Sequence, residues 1–295
     1  PAHARIDQRQ LSWGPPRNDA SGIRILSSGD DAITSALVSP DLAICPDCLA
    51  ELSDPSNRRH GYPFISCTNC GPRYSLLQQL PFEREHTSLR HFPLCSACLS
   101  EYGNPSDRRF HAQTISCPTC GPQLEWIDGR DSTSQIDLHC DAERLSAAAQ
   151  ALQQGAIVAL KGVGGVQLLV DPANSHAVAR LRQRKARPDK PLALLASEPW
   201  LLEHCQVSPE ELNLWRSSVA PIVLLRARHN LAGQIAATVT GGSAWLGVMR
   251  SCIGLQQLLL ERCGGVLVAT SANRSGEPIA ADVASPASTV APTAS

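Results

Sequence analysis

Eight of the chain's twelve cysteines fall in four C-x2-C pairs: Cys45/Cys48, Cys67/Cys70, Cys95/Cys98 and Cys117/Cys120. Shifting the sequence by 50 positions superposes all four pairs, together with Leu49/Leu99, Glu51/Glu101, Pro55/Pro105, Ser56/Ser106, Arg58/Arg108, Arg59/Arg109, Ile65/Ile115, Ser66/Ser116, Gly71/Gly121 and Pro72/Pro122. Such a register identifies a duplicated small unit. Each copy reads C-x2-C, eighteen residues, C-x2-C, which is the spacing of a four-cysteine zinc ribbon. A C-x2-C turn aims two thiolates at one ion, and two turns close a tetrahedron that leaves no position open for chemistry. Two structural zinc ions are therefore expected. Segments this poor in apolar residues need the metal, because their own cores contribute little.

Two questions about the cysteines stay open at this level. Disulfides or redox pairs would use the same residues in an oxidising compartment, although repeated C-x2-C spacing favours metal. The ions could be shared within each copy, or in a nested way that joins the first pair to the last and the two middle pairs to each other. Cys140, Cys205, Cys252 and Cys263 lack the spacing and read as ordinary thiols. Arg58, Arg59, Arg108 and Arg109 read as solvated loop charges, with nucleic-acid contact as the alternative.

At 295 residues the chain is long enough for two modest cores. Its net charge of -1 gives no overall attraction to nucleic acid or acidic membranes. No stretch has the length and apolarity of a membrane span, and Pro1 to Arg9 does not have the pattern of a secretory signal. A cytoplasmic protein with no membrane partner is expected. The chain opens on Pro1 instead of methionine and reads as a piece of a longer protein.

Residues 1–44 contain short strand patterns at Ala4 to Leu11 and Ile23 to Leu26, separated by a Pro/Gly/Asn stretch. Beyond the polar connection Asp128 to Gln135 the pattern alternates. Helices are expected at Ala142 to Gln154, Ser175 to Arg184 with Asn174 as cap, after a capping box at Ser208-Pro209-Glu210-Glu211, and at Leu255 to Arg262. Strands are expected at Ala156 to Leu160, Val166 to Val170, Leu192 to Leu195, Ile222 to Arg226 and Gly265 to Ala269. This is the pattern of an open α/β sheet domain over residues 136–283. Residues 284–295 hold only Ala, Ser, Pro, Thr and Val and are expected to be a disordered tail.

The chain's only lysines are Lys161, Lys185 and Lys190. Lys185, Arg187 and Lys190 lie in a proline-broken turn after a helix, where fixed cations suit a phosphate ligand. Arg180, Arg182 and Arg184 sit on the helix itself and read as solvent-facing. Lys161-Gly162-Val163-Gly164-Gly165 joins two strands and reads as a hairpin turn, since a P-loop would place its lysine after the glycines. Thr270-Ser271-Ala272-Asn273 ends an apolar strand, the position at which open α/β sheets hold ligands.

Cys45 through Pro122, with Asn69-Cys70-Gly71-Pro72-Arg73-Tyr74 and Arg108-Arg109-Phe110-His111-Ala112-Gln113, then Leu160 to Val170, Arg184 to Leu195 and Thr270 to Ile279, resemble the HypF family of hydrogenase-maturation carbamoyltransferases. The resemblance implies that residues 1–44 are the end of an acylphosphatase-like domain and linker, 45–127 the duplicated zinc-finger region, and 136–283 a YrdC-like ATP-binding domain. It implies that carbamate released from carbamoyl phosphate is joined to ATP, with Mg, as carbamoyl adenylate, and that a further domain hands carbamoyl to a HypE-like acceptor. On it, Lys185, Arg187, Ser271 and Asn273 are the catalytic and ATP-binding residues, with Lys161 and Lys190 as further ATP contacts. One departure stands out. Where the family has Leu-Pro-Tyr-Thr-Pro-Leu-His-His, this chain reads Arg250-Ser251-Cys252-Ile253-Gly254-Leu255-Gln256-Gln257. Two other functions compete: a threonylcarbamoyl-adenylate synthase, which shares the YrdC-like domain but not the fingers, and a zinc-ribbon protein with weak RNA binding, opposed by the near-zero charge and 4% aromatic content.

Overall fold

The computed structural model describes residues 38–127, 138–228, 231, 233–273 and 277–280. The expected strands near the N-terminus and the expected tail lie outside them. In each finger a helix starts directly after the first cysteine of the unit, α1 (Pro46–Ser53) after Cys45 and α2 (Ser96–Gly103) after Cys95. Pro46 opens α1, where its missing N–H costs nothing. Short 3-10 turns at Tyr74–Leu76, Arg84–His86 and Ser88–His91 connect the two units.

The α/β region runs α3 (Asp141–Gln153), β1 (Val158–Gly162), β2 (Gly165–Val170), α4 (Ser175–Arg184), β3 (Ala193–Ala196), α5 (Glu198–His204), β4 (Cys205–Gln206), α6 (Pro209–Arg216), β5 (Val223–Ala227), α7 (Ala237–Thr240), β6 (Trp245–Met249), α8 (Gly254–Arg262) and β7 (Val266–Ser271). Among the described residues the strands form one open sheet of order β1-β2-β7-β3-β6-β5-β4. Pairing is antiparallel except for β3 with β6, so the sheet is mixed. The expected caps form as read: Asn174 accepts from the Ala177 N–H at 2.9 Å, and Ser208 and Glu211 make a reciprocal capping box. The short strand β4, the strand β6 and the helices α5 and α7 escaped the sequence pattern. β4 has two residues and α7 four, too few for a period to show.

Alternation along the strands loads both faces of the sheet. One face, with Val166, Leu168, Leu194, Val223, Leu225 and Val248, is covered by α4, α5, α6 and α7. The other, with Leu160, Leu169, Leu195, Leu267 and Ala269, packs on Leu145, Ala149 and Leu152 of α3 and on Leu255, Leu258 and Leu259 of α8. Into this second core the first finger inserts Ile44, Leu52, Tyr62 and Ile65, along with Cys48, Cys67 and Cys70. Separate cores for fingers and sheet are therefore not what forms: the first finger shares a core with the sheet, and only the second keeps a small cluster of its own around Cys98, Ala112, Ile115 and Cys117.

The segment Arg250 to Gln257 is the seam of this joint. The Arg250 guanidinium donates to the carbonyls of Ile44 and Arg216, each at 2.6 Å. Ile44 N–H returns to the Cys252 carbonyl at 2.9 Å, and Leu255 N–H donates to Pro63 O at 3.0 Å. Gly254 is needed here, because a Cβ would sit 2.8 Å from Pro63 O.

Candidate functional site

The two four-cysteine clusters form within the copies. Cys45, Cys48, Cys67 and Cys70 converge in one, and Cys95, Cys98, Cys117 and Cys120 in the other. The nested pairing is excluded. Neighbouring sulfurs stand 3.6–3.8 Å apart in the first cluster and 3.6–3.7 Å in the second. Four sulfurs about 2.3 Å from a central ion would be about 3.8 Å from one another, whereas a disulfide needs about 2.05 Å. The clusters fit tetrahedral zinc, and burial of most of the eight thiols agrees with a closed structural site.

The arginines of the fingers overturn the reading of solvated charges. Arg59 is 1% exposed and Arg109 3%. Arg58 and Arg59 of the first finger both bind Glu101 of the second, at 2.7 and 2.5 Å, while Arg108 and Arg109 of the second bind Glu51 of the first, at 2.8 and 2.5 Å. Arg59 Nε also donates to Ser116 O at 2.8 Å and Arg109 Nε to Ser66 O at 3.0 Å. Burial pushes the Glu101 carboxyl up, but the bonds from Arg59 and Arg58 outweigh it and bring it down to about 2. These residues recur at the 50-residue shift because each copy supplies both halves of the cross-link.

The second site is a cleft of about 300 Å³ on the sheet face shared with the first finger. It is lined by the Val163 to Gln167 hairpin, Ala193, Ile222, Met249, Ala269 to Ser271, Ile279 and Arg187. The hairpin is a two-residue turn with Gly162 opposite Gly165, as the sequence suggested. Gly165, at φ +132°, faces the chain itself: a Cβ would meet Ile279 Cγ2 at 2.5 Å and Ala280 O at 2.9 Å. The glycine thus admits the returning segment 279–280, whose Ala280 carbonyl accepts from Val166 N–H at 2.9 Å.

How Arg187 reaches this cleft follows from the end of α4. Ala186 N–H bonds to Gln183 O and Arg187 N–H to Arg182 O, with Ala186 left-handed at φ +47°, which is a Schellman stop. Arg182, 7% exposed, donates from Nη1 to the carbonyls of Arg187 (2.8 Å), Pro188 (2.8 Å) and Lys190 (3.1 Å), and from Nε to Thr238 O at 2.9 Å. It does not face solvent as expected of its helix; it holds the turn. Arg187 Nη2 donates to Pro191 O at 2.8 Å, and its buried Nε has no hydrogen-bond partner among the described residues.

Lys185 is 7% exposed and lies behind the cleft wall. Its ammonium donates to the carbonyls of Ser271 and, at 2.9 Å, Asn273, pinning the exit of β7. Burial, and then the neighbouring charge of Arg187, lower its pKa. Ser271 Oγ, in the cleft, donates to Asn273 Oδ1, and Asn273 Nδ2 donates to Glu277 O. Lys161 is exposed on β1, and Lys190 is exposed in the turn; neither lines the cleft. Sequence reasoning missed Gln167, whose amide accepts from the buried Gln256 at 2.8 Å, and the apolar wall of Ile222 and Met249. Gln256 also accepts from Cys252 N–H at 2.7 Å, tying the Arg250 to Gln257 segment to the cleft. A glutamine inside an unremarkable strand carries no signal of its own.

Comparison with known proteins finds matches to both regions of the chain. Residues 44–77 and 94–127 match the HypF finger model, and residues 150–292 match the Sua5/YciO/YrdC model, described as telomere recombination. The chain is 45% identical over 295 residues to carbamoyltransferase HypF2 of Cupriavidus necator, covering 95% of this chain and 36% of that protein. It is 33% identical over 146 residues to threonylcarbamoyl-AMP synthase of Alkalilimnicola ehrlichii, covering 46% of this chain and 70% of that one. The crystal structure of full-length HypF in the phosphate- and nucleotide-bound form superposes with TM-score 0.77 at 41% identity, over 85% of this chain and 32% of that one. The chain thus spans about a third of the length of its HypF relatives. Among the described residues no helix is long and apolar enough to cross a membrane.

Proposed function

Because the chain belongs to the HypF family, with that family's paired fingers and a Sua5/YciO/YrdC-type domain, we propose that its cleft forms carbamoyl adenylate from carbamate and ATP. In this reaction a carbamate oxygen bonds to the α-phosphorus as the bond from that phosphorus to the bridging oxygen breaks, and pyrophosphate leaves with the electron pair. Carbamate is a weak nucleophile and the attacked centre is anionic. The protein's task is then to hold both reactants in line and to supply fixed positive charge.

The observation that carries the reading is Arg187, a guanidinium in the cleft with a buried Nε lacking a partner among the described residues. A buried N–H without an acceptor is costly, and a phosphate oxygen would satisfy it. Ser271 faces the same space, and Lys185, with two of its three donors engaged by carbonyls, fixes the strand end that carries Ser271 and Asn273. ATP would enter with Mg as substrate. Carbamate would come from carbamoyl phosphate, and the carbamoyl group would pass from the adenylate to an acceptor of the HypE type with release of AMP, in the making of hydrogenase cyanide ligands; both steps would belong to the longer protein. The two fingers would be structural, outside the chemistry.

Exchange of labelled pyrophosphate into ATP tests the reading. Exchange should require carbamate, and Arg187→Ala should lower ATP affinity about ten- to a hundredfold, from a charge-assisted bond of about 1.5–3 kcal/mol. Arg184→Ala, at the exposed end of α4, should leave it unchanged. Exchange supported by bicarbonate plus threonine but not by carbamate would replace this reading with that of the threonylcarbamoyl-AMP synthases.

A further inference from the structure

We infer that the two metal sites form one coupled unit, in which each finger supplies the outer-shell donors of the other finger's zinc. The coupling is built on spacing. Cys48 and Glu51 lie three apart on α1, and Cys98 and Glu101 three apart on α2, so on each helix a ligating sulfur and a carboxylate share a face. Onto the α2 face come Arg58 and Arg59 from the first finger. Arg58 Nη2 is 3.1 Å from Cys98 Sγ and 2.7 Å from Glu101 Oε2, and Arg59 Nη2 is 3.6 Å from the same sulfur. Onto the α1 face come Arg108 and Arg109 from the second. Arg108 Nη2 is 3.2 Å from Cys48 Sγ, and Arg109 Nη2 is 4.0 Å from it.

The charge balance gives these contacts their weight. A zinc ion with four thiolates carries a formal charge of -2, held here among buried groups where an uncompensated charge is expensive. Guanidinium N–H groups on sulfur take up part of the charge of the metal–thiolate centre. The paired glutamate orients both arginines: Arg58 and Arg108 donate to it through Nε as well, while Ser116 O and Ser66 O hold the Nε of Arg59 and Arg109 on the far side. The charge that stabilises each metal site is thus lodged in the other finger. Within one finger Arg58 is far from its own cluster in function: its bonds go to Cys98 and Glu101.

This makes a directional prediction that an ordinary loss of stability does not. Arg58→Gln, in the first finger, should speed zinc loss from Cys95, Cys98, Cys117 and Cys120 by about tenfold, the scale of outer-shell substitutions, and leave Cys45, Cys48, Cys67 and Cys70 less affected. Arg108→Gln should do the reverse. The full chain would be challenged with excess chelator, quenched at intervals with a thiol-alkylating reagent, and mapped by peptide mass spectrometry to show which cysteines have been freed. If Arg58→Gln already purifies with a deficit of zinc, the same mapping shows which set is empty: the second supports the inference and the first refutes it. Arg58→Lys, which keeps the charge but not the fork, should fall between wild type and Arg58→Gln. Release confined to the mutated finger, equal acceleration of both sets, or no change in either would each overturn the coupling.

Discussion

Ile65→Ala would test the shared core directly. Ile65 belongs to the first finger, is 4% exposed, and packs against α8, where a Cβ added to Gly254 would stand 3.3 Å from its Cγ2. The substitution removes every side-chain carbon beyond Cβ from a site closed on one side by finger backbone and on the other by sheet and helices. Such a truncation costs about 2–5 kcal/mol, a large part of the about 5–15 kcal/mol that holds a domain folded. No tryptophan lies between Cys45 and Pro122; of the chain's five, Trp200, Trp215 and Trp245 lie in the α/β region and Trp126 packs against the shared core. Urea unfolding followed by tryptophan fluorescence therefore reads the sheet while the change is made in the finger. The midpoint should fall with the slope unchanged, and excess chelator should lower it further, because losing zinc loosens Cys48, Cys67 and Cys70 in the same core. A tryptophan transition indifferent to both perturbations would show that finger and sheet unfold independently, and the shared-core argument would be wrong.

Arg182→Gln should destabilise the chain by about 1–3 kcal/mol, since the carbonyls of Arg187, Pro188, Lys190 and Thr238 lose buried donors, and calorimetry should show weaker ATP binding although Arg182 does not line the cleft. Unaltered binding would mean that the turn holds without it. Glu101, lowered from 4.5 to about 2 in the folded chain, contributes stability that is complete above pH 4.5 and is lost as pH falls from there toward about 2. The difference in urea midpoint between wild type and Glu101→Gln should accordingly be largest near neutrality and shrink below pH 4.5; a difference constant across that range would remove Glu101 from the arginine pair.

What could be read along the chain was whatever repeats or alternates locally. The 50-residue register announced two equivalent metal units, and the caps at Asn174 and Ser208 placed two helices, because caps and C-x2-C turns are satisfied within a few residues. Arg187 and Ser271 could be singled out as neighbours of breaks in regular structure, and both line the cleft, whereas Lys185, singled out with them, is buried behind its wall with its ammonium on the carbonyls of Ser271 and Asn273. The same evidence misjudged Arg182, Arg59 and Arg109. A charged side chain on a polar stretch looks solvated until the fold closes acceptors around its guanidinium, a glutamate 42 or 58 residues away for Arg59 and Arg109, and for Arg182 the carbonyls of its own following turn together with Thr238 O.

Tertiary structure alone decided which cysteines share an ion, since both pairings satisfy the internal symmetry and only packing separates the two clusters. It also decided that the first finger belongs to the sheet's core and the second does not. Ile65 and Ile115 occupy equivalent positions in the repeat, yet Ile65 meets α8 and Ile115 stays within its own finger's cluster. Duplication made the sequences of the two units nearly equivalent. Their positions on an asymmetric sheet cannot be equivalent, so one copy was buried and the other left at the margin.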